Sequence, residues 1–252
     1  MRLRILGCSG GIGGSRRTTC LLLNHDTLID CGTGAGDLDL DEMIAIDRIF
    51  LTHSHLDHVA LLPMLADSAG NFRNRPLLVH ALPETIEILK SDIFNSRIWP
   101  DYSKQPTPEN PYIRFVEIEV GQSVDLGYGK ITALPVKHSV PGVGYLLDSG
   151  KSCFAFSGDT TDCDEFWDAL KASPCLKYLL VEATFLDRAA EQAEKSGHMT
   201  PTLLAKGFEK IGGEVNFLIT HMEAGREEES MQEIHSGPFF PIRVENGQTF
   251  EF

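Results

Sequence analysis

A chain of 252 residues is long enough to bury a sizeable core unaided. It carries 22 Lys and Arg against 36 Asp and Glu, a formal net charge of −14. That balance argues against a surface built to grip a long nucleic acid, because such surfaces gain affinity from basic faces that neutralise phosphates.

In chain order, residues 2–6 read as a strand and residues 7–17 as a glycine-rich loop. The loop lacks the Gly-x-Gly-x-x-Gly spacing, so it is not read as a dinucleotide cradle. Residues 18–23 and 27–31 read as a hairpin around Asn24-His25-Asp26, leading into the turn Asp30-Cys31-Gly32. The apolar, β-prone run 48–51 is followed at once by Thr52-His53-Ser54-His55-Leu56-Asp57-His58, and 59–67 reads as the start of a helix. A helix is expected over 83–94 and a long Pro-rich loop over 100–111. Strand-like runs then recur from 113 to 156. Residues 162–171 read as a helix, 178–182 as a strand, 200–211 as a helix and 215–220 as a strand. No repeat, low-complexity tract or linker interrupts this order, so one domain over 1–252 is expected.

Six cysteines, at 8, 20, 31, 153, 163 and 175, include no Cys-x-x-Cys pair and sit mostly in apolar runs. They read as buried free thiols rather than disulfides or ligands, which fits a reducing cytoplasm. The run 1–7 is too short for a signal peptide, and no apolar stretch approaches the roughly 18 residues that span a membrane. A cytoplasmic location without a membrane partner is the expectation. The acidic clusters Asp37, Asp39, Asp41, Glu42 and Glu223, Glu227, Glu228, Glu229, Glu233 read as solvated surface.

The segment His53-x-His55-x-Asp57-His58 gathers three imidazoles and a carboxylate at a strand end. On an extended chain residues two apart point the same way, so His53 and His55 can share one cation. Asp57 and His58 fall at the turn into the helix and point elsewhere. One loop thus offers donors to two adjacent ions. Each ion needs three or more protein ligands, with positions left for water if the site is catalytic. His138, His198 and His221 each read as following a strand-like run and are candidates. Asp159, in Ser157-Gly158-Asp159-Thr160, stands at another strand end, and its two oxygens suit it to bridge two cations.

This order of residues resembles the metallo-β-lactamase superfamily, in its phosphodiesterase branch, along nearly the whole chain. The resemblance implies an α/β fold, a four-layer αββα sandwich with a dinuclear site at its edge. It implies His53, His55, His138 and Asp159 around the first ion, and Asp57, His58, Asp159 and His221 around the second. The donors are nitrogen and oxygen without thiolate. Two divalent ions of Zn²⁺ fit them, with Mn²⁺ or Fe²⁺ as alternatives. Asp30-x-Gly32 resembles the superfamily's early Asp-x-Gly turn, whose Asp supports the metal loop from behind; a plain turn-forming Asp is the other reading.

Glu182-Ala183-Thr184-Phe185 with Gly197-His198-Met199-Thr200-Pro201 resembles a pair shared by tRNase Z and class II cyclic-nucleotide phosphodiesterases. By that resemblance His198 is the general acid and Glu182 its orienting partner, with Asp57 placed to orient the attacking water. The stretch from Glu84 through Ile98-Trp99-Pro100-Asp101 is similar to the class II enzymes, although Ala60-Leu61 departs from their small-residue pattern. Trp99 reads as buried packing, with base stacking by Trp99 and Tyr102 as the alternative. Asp159 follows His138 by only 21 positions, which leaves no room for the tRNA-gripping arm of the tRNase Z enzymes that carry one. The expected activity is therefore hydrolysis of 3′,5′-cyclic nucleotides to 5′-monophosphates. The partner is a small phosphodiester rather than a stably bound nucleic acid, and the resemblance implies a homodimer. A tRNase Z-like ribonuclease, another hydrolase such as a thioesterase, and a non-catalytic metal-binding protein are the alternatives.

Overall fold

The computed structural model describes residues 1–212 and 214–252. Period-two alternation with apolar residues on both faces marks strands that are covered on both sides. Along β1 (Arg2–Gly7), β2 (Cys20–Leu23) and β3 (Thr27–Ile29), residues Leu3, Ile5, Leu21, Leu23 and Ile29 face one apolar cluster, while Leu6, Leu22 and Leu28 face another. These strands pair antiparallel, and β14 (Thr249–Glu251) pairs antiparallel with β1. On the other side β3 continues into parallel pairing with β4 (Arg48–Phe50), β5 (Leu77–Ala81) and β6 (Ile113–Glu117), giving the order β14-β1-β2-β3-β4-β5-β6.

The second sheet runs β13-β12-β11-β10-β9-β8-β7. Its antiparallel part is β7 (Ser123–Asp125), β8 (Lys130–Pro135), β9 (Val143–Asp148) and β10 (Cys153–Phe156). Its parallel part is β10, β11 (Leu176–Glu182), β12 (Asn216–Thr220) and β13 (Ile242–Arg243).

Three apolar layers separate four structural ones. Between the sheets lie Leu3, Ile5, Phe50, Tyr145, Phe154, Phe156 and Leu180. Outside the first sheet, Ile49, Leu51 and Val79 meet Val59, Leu62, Leu65 and Ile86. These last four come from α2 (Leu56–Val59), α3 (Leu62–Gly70) and α4 (Pro83–Ile88), and α1 (Leu40–Ala45) lies against α3. Outside the second sheet, Ala155, Leu179, Val181 and Ile219 meet Phe166, Trp167, Leu204, Phe208 and Ile234. Those belong to α5 (Asp164–Lys171), α7 (Pro201–Ile211) and α8 (Glu227–His235), with α6 (Ala190–Ser196) preceding α7. The architecture is the αββα sandwich that the metal loop's resemblance implies.

Several expectations are corrected. His198 follows a helix, not a strand: it comes after α6 and its left-handed Gly197 cap. The helix expected over 83–94 runs from Pro83 to Ile93, α-helical to Ile88 and π-helical from Leu89. The acidic run at 227–233 lies at the surface as expected, but it forms a helix, α8, with Glu227 paired to Arg16, Glu228 to Arg243, and Glu229 to Arg188 and Arg226. Cys153 and Cys175 are not free thiols. They form a disulfide, with Cα atoms 5.3 Å apart, because Cys175 precedes β11 where Cys153 opens the paired strand β10, and the Cys153 amide donates to the Cys175 carbonyl. Cys8, Cys20, Cys31 and Cys163 are free. Among the described residues, no helix is long and apolar enough to cross a membrane.

Candidate metal centre

The site is built mostly where parallel strands end, the place at which open α/β sheets collect their functional loops, with the antiparallel β8 adding one more loop. The chain leaves β4 at Leu51 and Thr52, is held to the second sheet by the Val143 amide donating to the Thr52 carbonyl, and presents His53 and His55 before α2 begins. The first turn of α2 carries Asp57 and His58. β8 leads to His138, β10 to Asp159, β11 to Glu182 and β12 to His221. Gly32 allows the metal loop to lie close, since a Cβ there would sit 2.1 Å from the Asp57 carbonyl oxygen.

These side chains form two overlapping groups, His53, His55, His138 and Asp159, and Asp57, His58, Asp159 and His221. Asp159 Oδ2 lies 3.6 Å from His53 Nε2, 3.4 Å from His58 Nε2, 3.5 Å from His221 Nε2 and 4.0 Å from His138 Nε2. His138 Nε2 and His55 Nδ1 are 3.1 Å apart, as are His221 Nε2 and Asp57 Oδ2. His58 Nε2 is 3.3 Å from His221 Nε2. Two donors about 2.0–2.2 Å from a shared tetrahedral cation stand roughly 3.3–3.6 Å apart. The observed spacings centre on that range.

The outward nitrogens have protein partners, which leaves the Nε2 atoms of four rings facing the cluster. His53 Nδ1 meets the Thr52 hydroxyl at 3.0 Å, His58 Nδ1 the Asp30 carboxylate at 2.7 Å, His138 Nδ1 the Gly197 carbonyl at 2.9 Å, and His221 Nδ1 the Thr184 hydroxyl at 3.0 Å. A carbonyl or carboxylate accepts only from an N–H, so His58 and His138 carry a proton on Nδ1 and turn Nε2 inward, the arrangement found in metal-ligating imidazoles. His53 Nε2 and Asp159 Oδ1 are buried with no hydrogen-bond partner. Burial of donor atoms that no protein group satisfies is what a cation site requires. The clusters are therefore suited to divalent ions.

Asp30 is fully buried with φ of 57°, and its carboxylate accepts from the Thr52 amide and hydroxyl as well as from His58. It supports the loop from behind. Burial, with the neighbouring His58, holds the His53 ring well below the usual imidazole range. Burial also lowers His55 and His138. At Asp159 burial would act upward, but the surrounding His221 and His58 imidazoles outweigh it and hold the carboxyl well below the usual carboxylate range.

His198 belongs to neither group. Its Nδ1 donates to Glu182 Oε1 at 2.7 Å, its ring packs edge-on to His138 at 4.9 Å, and 12% of its side chain is exposed. Burial would lower its pKa, but the charge and hydrogen bond of Glu182 outweigh that and raise it. Glu182 itself is fully buried.

A family model for the β-lactamase superfamily domain matches residues 25–222. The chain belongs to this superfamily. A probable 3′,5′-cyclic-nucleotide phosphodiesterase of Yersinia pestis is 26% identical over 82% of this chain and 71% of its own length. Ribonuclease BN of Escherichia coli strain 536 is 25% identical over 93% of each chain. Among solved structures, unliganded yeast PDE1 superposes with a TM-score of 0.82 at 17% identity, covering 98% of both chains. The protein is thus a hydrolase of metallo-β-lactamase fold.

Sequence reasoning passed over three threonines of this superfamily site. Thr52 links Asp30 to His53, Thr160 donates its amide to Glu182, and Thr184 touches Glu182, His198 and His221. A lone threonine carries no ligand signature, so only its place beside Glu182 could have drawn attention. Trp99 and Tyr102 pack against the core outside the first sheet, and the Tyr102 hydroxyl donates to Asp67.

Proposed function

We propose that this protein is a dinuclear-metal phosphodiesterase that hydrolyses 3′,5′-cyclic nucleotides to 5′-monophosphates. The observation that carries this reading is one carboxylate, Asp159, shared by two four-residue donor groups, with a non-ligand histidine backed by a buried glutamate beside them. Two Zn²⁺ ions, assigned on the nitrogen and oxygen donors, would supply water activation near neutral pH and charge stabilisation on the phosphoryl oxygens. His53, His55 and His138 would hold one, Asp57, His58 and His221 the other, and Asp159 both.

The chain's own contribution to the chemistry is proton management. Glu182 fixes the His198 proton on Nδ1 and favours the doubly protonated ring, so Nε2 can deliver a proton to the departing O3′. Asp57 has 31% of its side chain exposed, so besides its place in the second donor group it can orient water at the site mouth.

A small substrate is favoured by three facts. The chain between His138 and Asp159 is taken up by the β9–β10 hairpin, closed by a short turn, and carries no inserted arm. The net charge of −14 opposes a polyanion. The Yersinia pestis relative is named for cyclic nucleotides. The ribonuclease BN relative supports a second reading, a ribonuclease. Specificity constants for a cyclic nucleotide and for pre-tRNA, measured in one buffer at fixed salt, decide between them; a clear preference for pre-tRNA overturns the proposal. Within the first reading, His198→Ala should keep its metal and lose about 10²–10⁴-fold on a cyclic nucleotide. It should lose far less on bis(p-nitrophenyl) phosphate, whose leaving group departs without a proton. Equal losses on both would remove the general-acid role.

A further inference from the structure

The Thr184 hydroxyl lies within hydrogen-bond reach of four groups. Glu182 Oε2 is at 2.6 Å, the His221 carbonyl at 2.9 Å, His221 Nδ1 at 3.0 Å and His198 Nδ1 at 3.2 Å. A hydroxyl has one proton to give and two lone pairs to offer. The proton goes to the carboxylate, which is the shorter and charge-assisted partner. His198 Nδ1 is committed to Glu182 Oε1 at 2.7 Å. Glu182 then accepts four bonds, from the Thr160 amide and His198 on one oxygen and from the Thr184 amide and hydroxyl on the other. What remains for Thr184 is to accept from His221 Nδ1–H.

We propose that Thr184 is a positioning residue that extends Glu182's influence to the metal-facing His221, so that one buried carboxylate sets the proton positions of both His198 and His221. With Nδ1 held by Thr184, His221 turns Nε2 toward Asp57 and Asp159, at 3.1 Å and 3.5 Å. Ring placement matters here because His221 sits at φ of 55°, a conformation uncommon for a residue with a side chain. The Cys8 carbonyl accepts its amide, and Thr184 holds its ring. The inference rests on the dinuclear reading proposed above.

The test uses the full chain and Zn²⁺ alone, followed by two substrates. Thr184→Val keeps the shape and removes the hydroxyl; Thr184→Ser restores it. By chelator competition, Thr184→Val should bind the weaker of its two Zn²⁺ ions about 10–100-fold less tightly, the usual effect of removing a group that orients a metal ligand. Thr184→Ser should stay near the unaltered protein. At limiting Zn²⁺, Thr184→Val should lose the same factor on a cyclic nucleotide and on bis(p-nitrophenyl) phosphate, and excess Zn²⁺ should restore both. Unchanged Zn²⁺ affinity in Thr184→Val overturns the proposal. So does a loss that Zn²⁺ does not restore and that falls only on the cyclic nucleotide, since Thr184 would then act through His198 alone. If Thr184→Val does not fold, ¹⁵N resonances of the unaltered protein decide: His221 protonated on Nδ1 supports the assignment, and protonation on Nε2 with Nδ1 bare overturns it. Failure of the unaltered protein to hydrolyse either phosphodiester would count against the proposed function, while the Zn²⁺ titration still judges Thr184.

Discussion

Replacing Asp30 by Asn tests how far the metal loop depends on the carboxylate behind it. Asn keeps the size and tolerates the left-handed backbone at φ of 57°, so the change is electrostatic rather than steric. Asp30 Oδ1 accepts from the Thr52 amide at 2.8 Å, and Oδ2 accepts from His58 Nδ1 at 2.7 Å and the Thr52 hydroxyl at 2.9 Å. An amide has one acceptor oxygen. If that oxygen stays with Thr52, the new NH₂ faces the His58 N–H; if it turns to His58, the NH₂ faces the Thr52 amide. The first orientation drives the His58 proton to Nε2, where it points at Asp159, 3.4 Å away. The second leaves a buried N–H unpaired, at about 1–3 kcal/mol. Either way the Asp57/His58/Asp159/His221 group suffers first. Loss of such a supporting partner typically weakens metal affinity about 10–100-fold, or roughly 1.4–2.7 kcal/mol. Zn²⁺ affinity by chelator competition, with circular dichroism to check folding, measures it. A folded Asp30→Asn protein with unchanged affinity for both ions would refute the argument.

Two further outcomes follow from the geometry. Asp159→Ala should lower occupancy of both ions, whereas His53→Ala should weaken mainly one; elemental analysis of the purified variants reads this, and two full equivalents in Asp159→Ala would end the bridging assignment. His80 is buried, stacked on Phe50 at 4.4 Å with Nδ1 unpaired, and burial together with the charge of Arg48 pulls its pKa down to about 4 from 6.5. The unfolded chain therefore takes up a proton here before the folded one does, so stability is lost as pH falls from about 6.5 toward 4. At pH 5 the loss is about 2 kcal/mol, or roughly 4–8 °C in Tm for a chain near this size. Between pH 7.5 and 5, His80→Phe should drop less in Tm than the unaltered protein by that margin, and parallel drops in metal-free buffer would contradict it.

What could be read in advance follows from how local each signal is. His53, His55, Asp57 and His58 lie in one short stretch, and their alternation on an extended segment is a property of the backbone alone. Most strands were legible because both faces of each sheet are covered, which leaves apolar runs such as Leu179, Leu180 and Val181 that no surface strand would carry; β5, β13 and β14 were not read in advance. The Cys153–Cys175 disulfide was not legible, since 22 residues and a helix separate two cysteines that only strand pairing sets side by side. Neither was α8, because three consecutive glutamates look like solvated surface until Arg16, Arg188, Arg226 and Arg243 are placed around them.

The same distinction explains why the ligands were easier to find than the groups that aim them. A ligand is named by its element: imidazole nitrogen and carboxylate oxygen have few other reasons to cluster. A group that aims a ligand needs only one proton to give or one lone pair to offer, and a threonine hydroxyl or a backbone carbonyl can do it. Thr52, Thr184 and the Gly197 carbonyl fill that place for His53, His221 and His138, and neither residue type distinguishes it from a common turn. These contacts involve protein atoms only and are independent of any cation. The fold therefore sets these three imidazoles before an ion arrives, and the ion does not have to gather them. Sequence shows which atoms can bind; the position of their remote protons decides whether they do, and that is fixed by contacts between segments as far apart as Gly197 and His138.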